Sequence, residues 1–333
     1  MTTITRSDGR PIWLRPTVVT NFFLGFSSGL PFPLVYATLT AWLEDASIAR
    51  STISTFAWIG FAYSFKYLWA PLIDAVDVPL LTRWLGRRRA WLIVAQMSIA
   101  LGLVSMAFTD PSRALLPFTL SAIAVALLSA TQDIIIDAYR IESDHADMQG
   151  VLAAAYQYGY RIALIASTAG ALLLADTQSW SIAYLCMAVL MGVGVTAVLF
   201  SPEPKRAPRK PIAQWSTRLR VAFIDPFLEF FQRVGWVALL ILAYIFFYRV
   251  SDYVLGVLAN PFYLDIGFTK SDVAGVAKVY GTFVSLVGIA AGGVAVLKLG
   301  IYRRLIVASV LIAASILGVF YLSFHVPEVY ALA

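Results

Sequence analysis

An all-α integral membrane protein is the fold class this sequence predicts, and three observations predict it. Across 333 residues the chain is 60% hydrophobic and only 13% charged, with a mean hydropathy of +0.78. A soluble domain is nearer half apolar and a quarter charged. Apolar runs of about 20 residues, the helical length that crosses ~30 Å of hydrocarbon, recur along the chain. These runs are continuous and show none of the two-residue alternation of barrel strands, so helices are the spanning form. Lys and Arg, finally, gather in alternate loops, as orientation in a bilayer requires.

The runs predict nine spans, over residues 17–43, 52–74, 90–109, 115–138, 149–175, 179–200, 236–259, 272–297 and 304–324, with the first turns of a tenth after Val326. The loops on one side hold 18 of the 25 cations, among them Arg6, Arg10, Arg15, Arg83, Arg87, Arg88 and Arg89, Lys205 to Arg233, and Lys298, Arg303 and Arg304. The opposite loops hold Arg50, Arg113 and Lys270. This bias predicts a cytoplasmic N-terminus. It also accounts for the net charge of +6 without a nucleic-acid partner. A polar start followed by an apolar run too long for a signal-peptide core argues against a cleavable leader. The single Cys186 excludes a disulfide framework and a thiolate metal site.

Three segments follow from this pattern. Residues 1–200 read as a six-helix bundle. Residues 201–235 form a cytoplasmic linker that opens with Pro202, Pro204, Pro208 and Pro211 among basic residues. From Trp215 to Arg233 the linker mixes aromatic, aliphatic and Arg residues, the pattern of an amphipathic helix on the membrane surface, with Asp225-Pro226 as its N-terminal signal. Residues 236–333 make a shorter second bundle. An internal echo supports two halves: Pro71-Leu72-Ile73-Asp74 followed by Gly86-Arg87-Arg88-Arg89, then Gly292-Gly293 followed by Lys298-Leu299-Gly300 and Arg303-Arg304. Repeated halves around a site near the midplane are the plan of secondary transporters.

Enzyme signatures find no suitable setting. Gly25-Phe26-Ser27-Ser28-Gly29 matches G-x-S-x-G, but that motif needs a strand–turn–helix. Inside a membrane helix, glycines four apart serve close helix packing instead. His145 with Glu142, Asp144 and Asp147 reads as a solvated loop. No cofactor and no metal are expected.

Intramembrane polar groups carry the functional signal, because ionisable residues in hydrocarbon default to a role. Lys66 interrupts the run from Ser54 to Trp69, at a cost of roughly 2.5–3.5 kcal/mol on insertion scales. It reads as a cavity cation or as a snorkelling side chain. Asp133, Asp137 and Arg140 share one helix face. Gln132 reads as a cavity residue, and Asp133 next to it reads either as a proton-coupling carboxylate with an Arg partner or as part of a gating salt-bridge set. Asp137 and Arg140 read as gate residues with Asp74, Arg87 and Arg88. Gln157, Tyr160 and Arg161 lie on one side of span five, where Arg161 meets an anionic or polar solute or neutralises Asp133 or Asp137. In span seven Arg249 and Asp252, at i and i+3, pair with each other or face the cavity, Asp252 as a second coupling group. Lys278 lies in the outer half of span eight and either lines the cavity or snorkels. Trp58 and Tyr63 are deep enough to stack on a sugar face, or to pack in the core.

Together, Phe26-Ser27-Ser28-Gly29-Leu30-Pro31, Phe65-Lys66-Tyr67-Leu68-Trp69-Ala70-Pro71-Leu72-Ile73-Asp74, Gly86-Arg87-Arg88-Arg89-Ala90-Trp91 and Gln132-Asp133-Ile134 with Asp137-Ala138 resemble the muropeptide permease (AmpG-type) branch of the major facilitator superfamily, which also holds acetyl-CoA transporters. The resemblance runs from about residue 20 onward. It implies a major facilitator fold, here a six-helix N-terminal bundle plus an incomplete C-terminal one, in the bacterial inner membrane. It implies import of GlcNAc–anhydroMurNAc and its peptides, driven by protons, with cargo between two halves and alternating access. The family uses at least twelve spans, so nine and a stub imply a fragment or a truncated variant. A complete chain is expected to be a monomer in the bilayer. The alternatives are another large polar or anionic solute, such as acetyl-CoA, and a non-transporting scaffold built from a transporter bundle.

Overall fold

Proline, glycine and hydroxyl residues decide where the long apolar runs stay helical and where they break. A computed structural model of the chain describes residues 11–204, 220, 224–247, 284–292 and 301–322. All regular structure among the described residues is helical. Backbone packing divides the chain into two units, Met1–Leu219 and Arg220–Ala333.

The first unit begins with a run from Pro16 to Asp45, made of α1 (Pro16–Gly29), α2 (Pro31–Leu34) and α3 (Ala37–Asp45). Pro31 and Pro33 lack the N–H that would continue the ladder, so the run breaks at Leu30 and again at Val35-Tyr36. The segment expected as one span over 52–74 is instead a string of short pieces. They are α4 (Arg50–Thr55), a 3-10 stretch Phe56–Gly60, α5 (Phe61–Ser64), a 3-10 turn Lys66–Leu68 and α6 (Ala70–Ala75). Local chemistry explains the breaks. Ser54 and Thr55 donate their hydroxyls back to the Ser51 and Thr52 carbonyls, and Pro71 removes a donor. Packing adds little continuity, because among the described helices the segment leans chiefly on α9, and Trp58, Phe61, Phe65, Tyr67 and Leu68 are exposed.

After α7 (Leu81–Leu85) come α8 (Arg87–Ala107), α9 (Leu115–Ser143) and α10 (Gln149–Ile165). A π-helical turn, Ala166–Gly170, leads into α11 (Ala171–Thr177), and α12 (Trp180–Phe200) follows with Ser179 Oγ accepting from Ile182 N at 3.3 Å as its N-cap. Two boundaries differ from expectation. α8 starts at Arg87 rather than at residue 90, so the three arginines form its first turn. α9 runs on to Ser143 rather than 138, which brings Arg140 into the same helix as Asp137.

Five helical runs among the described residues are long and apolar enough to cross a membrane: Pro16–Asp45, Arg87–Ala107, Leu115–Ser143, Ala146–Thr177 and Trp180–Phe200. In lipid, apolar burial does not drive helices together; close packing and polar contacts do. Glycine supplies the closeness here. A Cβ on Gly25 or Gly29 would run into the backbone of Tyr156 or Tyr160 on α10, and one on Gly159 into the Phe22 carbonyl of α1. The main core gathers Trp42, Phe118 and Tyr184, with Trp42 stacked on Trp180 at 5.7 Å. The buried Tyr184 hydroxyl is satisfied by donating to the Leu34 carbonyl at 2.7 Å, where the helix break at Val35-Tyr36 leaves that acceptor available.

In the second unit, the helix Asp225–Val234 starts with Pro226 in its first turn. Asp225 is its first helical residue and makes no cap bond; it pairs with Arg220 at 3.4 Å. Gly235, at φ +64°, closes the helix, and the chain turns by 111° into Val237–Phe247. Residues 284–292 and Ile301–Leu322 are helical, so Arg303 and Arg304 sit in a helix rather than in the loop expected there. The Tyr244 hydroxyl lies 2.7 Å from Ser309 Oγ. Arg249, Asp252, Lys278, Lys298 and His325 lie outside the described residues, as does most of the proline-rich linker.

Candidate functional site in the helix bundle

The close approach of α1 and α10 puts a hydroxyl pair at the centre of the first unit. Ser28, just before Gly29, has its Oγ 2.7 Å from the Tyr156 hydroxyl. The same Oγ donates to Asp133 Oδ1 on α9 at 2.5 Å. Lys66 Nζ lies 3.4 Å from the other carboxylate oxygen, Oδ2. Lys66 enters from the 3-10 turn Lys66–Leu68, which Trp69 ties to α9 through Nε1 and Thr131 Oγ1 at 3.0 Å. The broken second segment therefore anchors the cation beside the carboxylate. Four helical segments meet at Asp133, whose side chain is 16% exposed against 32% for Lys66.

Of the two readings of Lys66, cavity cation or snorkelling side chain, neither named its ion pair with Asp133. The geometry corrects one expectation. The partner of Asp133 is Lys66, not an arginine, because Arg140 is engaged elsewhere. Arg140 pairs with Asp137 at 3.1 Å, and its guanidinium lies 5.6 Å from the centre of the Tyr156 ring.

Gln132, expected to line a cavity, is fully buried. Its Oε1 is 3.5 Å from Ser27 Oγ, which accepts from Gln96 Nε2 at 3.1 Å. Gly194 of α12 leaves the room for this contact, since a Cβ there would strike Ser27 and Gln96. Ser27 is thus a buried packing residue on a helix, with no histidine against it among the described residues, which is not the strand–turn–helix setting of the nucleophile motif. Tyr63 packs edge-on against Phe32 at 5.1 Å, and its hydroxyl lies beside Ser129 without hydrogen-bond geometry. Trp58 is 70% exposed at an apolar cleft of about 260 Å³ between the Phe56–Gly60 stretch and α9. Gln157 and Arg161 are exposed on α10, and Tyr160 is half-buried with its ring 6.0 Å from that of Tyr156.

A second cluster lies at the start of α8. Gly86 precedes it at φ +83° and ψ 171°, a conformation essentially reserved for glycine. A side chain there would also collide with Glu203. The opening lets the Glu203 carboxylate accept from the backbone N–H groups of Arg88 and Arg89 at 2.9 and 3.1 Å, an anion seated on a helix N-terminus. Three cations in a first turn oppose the helix dipole; carboxylates offset them. Arg88, 3% exposed, donates to Glu142 through Nε and Nη2 at 2.9 and 2.7 Å and to Asp74 at 2.6 Å. Arg87 pairs with Asp77 at 3.2 Å. Arg89 donates to the Val198 and Leu199 carbonyls at the end of α12. The cluster ties α6, α8, α9 and α12 together.

Residues 17–333 match the family model described as Major Facilitator Superfamily. The chain belongs to the major facilitator superfamily. Within this superfamily it is an AmpG-type permease, a multi-pass membrane transporter and not an enzyme. It is 35% identical over 295 residues to the putative transporter AmpG 4 of Rickettsia felis, covering 87% of this chain and 70% of that one. It is 33% identical over 323 residues to the anhydromuropeptide permease of Escherichia coli K12, covering 96% of this chain and 64% of the relative. A Haemophilus influenzae protein without a described activity is 35% identical over 286 residues, 85% of this chain and 65% of that one.

Sequence reasoning missed four polar partners in this permease. Ser28 and Tyr156 were hidden because a hydroxyl gives no hydropathy signal. Glu142 and Glu203 lie at helix ends, where carboxylates are ordinary. The available hint for Glu203 was its place as the first acid after span six, within reach of the Arg87–Arg89 turn.

Proposed function

We propose that this permease is a proton-coupled importer of muropeptide-like solutes, working by alternating access in a bacterial inner membrane with its N-terminus in the cytoplasm. The observation that carries the reading is the Lys66–Asp133 pair inside a membrane-spanning bundle. Such a pair is costly in hydrocarbon unless it functions. A lysine is a point charge on a flexible stem, suited to exchanging partners. Protonation of Asp133 removes the charge that holds Lys66, which then meets an anionic group of the cargo. Peptide-bearing sugars carry carboxylates, and the name of the Escherichia coli relative specifies anhydromuropeptide. Arg161, Gln157 and Tyr160 supply further polar contacts, and Trp58 and Tyr63 offer rings of the kind that stack on sugars. The proposal extends to Arg249 and Lys278 as cavity cations and to Asp252 as a second coupling carboxylate.

Asp74, Arg87 and Arg88, with Asp137 and Arg140, act as the cytoplasmic gate. The organisation that goes with this is a bundle over 1–200, a linker over 201–235 whose amphipathic helix rests on the membrane surface, and a further bundle over 236–333. The bias of the cations toward one set of loops supports the orientation. The test is uptake of a radiolabelled anhydromuropeptide into membrane vesicles bearing the permease, with and without an imposed proton gradient. Accumulation of chemically unchanged cargo only with the gradient is expected. Gradient-independent equilibration overturns the coupling. Preference for acetyl-CoA overturns the cargo, and no uptake of either solute returns the scaffold reading.

A further inference from the structure

The Ser28–Tyr156 hydroxyl pair has no place in a simple ion-pair switch, and neither residue was a sequence candidate. Both sit where α1 and α10 touch most closely, so their positions are fixed by backbone contact at Gly25 and Gly159 rather than by flexible side chains. The three oxygens are linked in sequence: the Tyr156 hydroxyl, then Ser28 Oγ at 2.7 Å, then Asp133 Oδ1 at 2.5 Å. An ionised carboxylate only accepts, so the Ser28 proton must point to Asp133 and the Tyr156 proton to Ser28. The chain of hydrogen bonds thus has one direction while Asp133 is charged and the reverse direction once it is protonated.

We propose that Ser28 and Tyr156 are the proton relay that loads and unloads Asp133, an inference that rests on the coupling role proposed for that carboxylate. Unloading is one concerted shift. The Asp133 O–H bond breaks as its proton passes to Ser28 Oγ. The Ser28 proton passes to the Tyr156 oxygen, and the Tyr156 proton leaves to water. Each hydroxyl gives one proton and takes one, so neither ends charged, and the net change is one proton from the carboxyl to solvent. The exit is set by neighbouring charge. Arg140 lies over the Tyr156 ring, and Asp137, half exposed and paired with Arg140, is the next carboxylate along α9. The groups facing Asp133 are Lys66 from the 3-10 turn, Ser28 from α1 and Asp137 on its own helix, and its charge is also felt at Tyr63 of α5 and at Tyr156 and Tyr160 of α10. Lys66 reaches the other oxygen, Oδ2, so the ion pair and the relay use separate sides of one carboxylate.

The test removes single oxygens in the full chain, as Tyr156→Phe and Ser28→Ala, and compares two assays in vesicles. Gradient-driven uptake requires Asp133 to release its proton in each cycle. Counterflow, the exchange of labelled for unlabelled cargo without a gradient, proceeds with the proton retained. The relay predicts that each variant slows gradient-driven uptake by roughly tenfold or more, the scale of lost proton-transfer assistance, with counterflow within about twofold of the unaltered permease. Equal losses in both assays would mean a packing role only, and uptake unchanged in both variants would mean that protons take another route; either overturns the relay. The coupling role of Asp133 is judged separately by Asp133→Asn, so the two can fail independently.

Discussion

The permease contains two ionic clusters of opposite design. At the start of α8, Arg88 is almost wholly buried and holds two carboxylates through three short bonds, while Glu203 closes the backbone donors beside it. At the bundle centre, Lys66 meets Asp133 through one contact of 3.4 Å and keeps a third of its side chain exposed. A guanidinium stays charged and matches carboxylates in a fixed fork, whereas an ammonium is a point charge that changes partner readily. The first cluster is over-determined and locks helices in register. The second is minimally held, and its carboxylate is backed by hydroxyls that can reverse their hydrogen bonds. Fixed charge suits the proposed latch and exchangeable charge the proposed switch.

Deleting one member from each cluster probes that contrast at its largest. Arg88→Ala removes the buried guanidinium that ties the partly exposed Asp74 and Glu142 to α8 and is expected to cost about 1–3 kcal/mol, read as a lower melting temperature of the purified protein in detergent. Lys66→Ala is expected to lower the melting temperature far less, because Ser28 still serves Asp133 and the lysine is partly solvated, yet to abolish uptake. Comparable destabilisation by both would erase the distinction.

A smaller effect sharpens the latch itself. Glu203→Gln keeps the shape but removes the anion from the α8 N-terminus, an expected loss of about 0.3–1 kcal/mol, larger at low salt than at high salt. Insensitivity to salt would show that the hydrogen bonds, rather than the charge, do the capping.

The smallest effect lies outside the membrane. Asp110, in the exposed turn between α8 and α9, is held below the usual carboxylate range by hydrogen bonds from the Ser112 hydroxyl and backbone N–H, with Arg113 adding to the effect. A depressed carboxyl stabilises the fold above its unfolded titration range and loses that contribution as the pH falls through its folded value. Ser112→Ala is expected to move the Asp110 titration upward, as followed by NMR, with no effect on uptake. This exposed acid is the baseline against which the two clusters are measured.

The sequence made the helical class plain because composition and run length depend on no partner. It also exposed Gly25 and Gly29 as packing positions, since spacing on one helix is local. The pairings were not legible. Lys66 and Asp133 each stood out as a charge in hydrocarbon, but they are 67 residues apart, and no periodicity links them. Asp133 was assigned an arginine because Arg140 shares its helix face, although Arg140 turns to Asp137 and Tyr156. The break-up of the 52–74 run was hidden because hydropathy averages over Gly60, Pro71 and the back-bonding hydroxyls. Gln132 was expected in a cavity, whereas it is buried against Ser27, since adjacent helix positions point about 100° apart.

Asp133 is proposed here as the switch and the α8 cluster as the latch. The most direct test is Asp133→Asn, assayed side by side for gradient-driven accumulation and for counterflow of an anhydromuropeptide. An amide keeps the size and accepts from Ser28 but cannot carry the charge or the proton. Accumulation is expected to disappear while counterflow persists. Normal gradient-driven accumulation in this variant would contradict it.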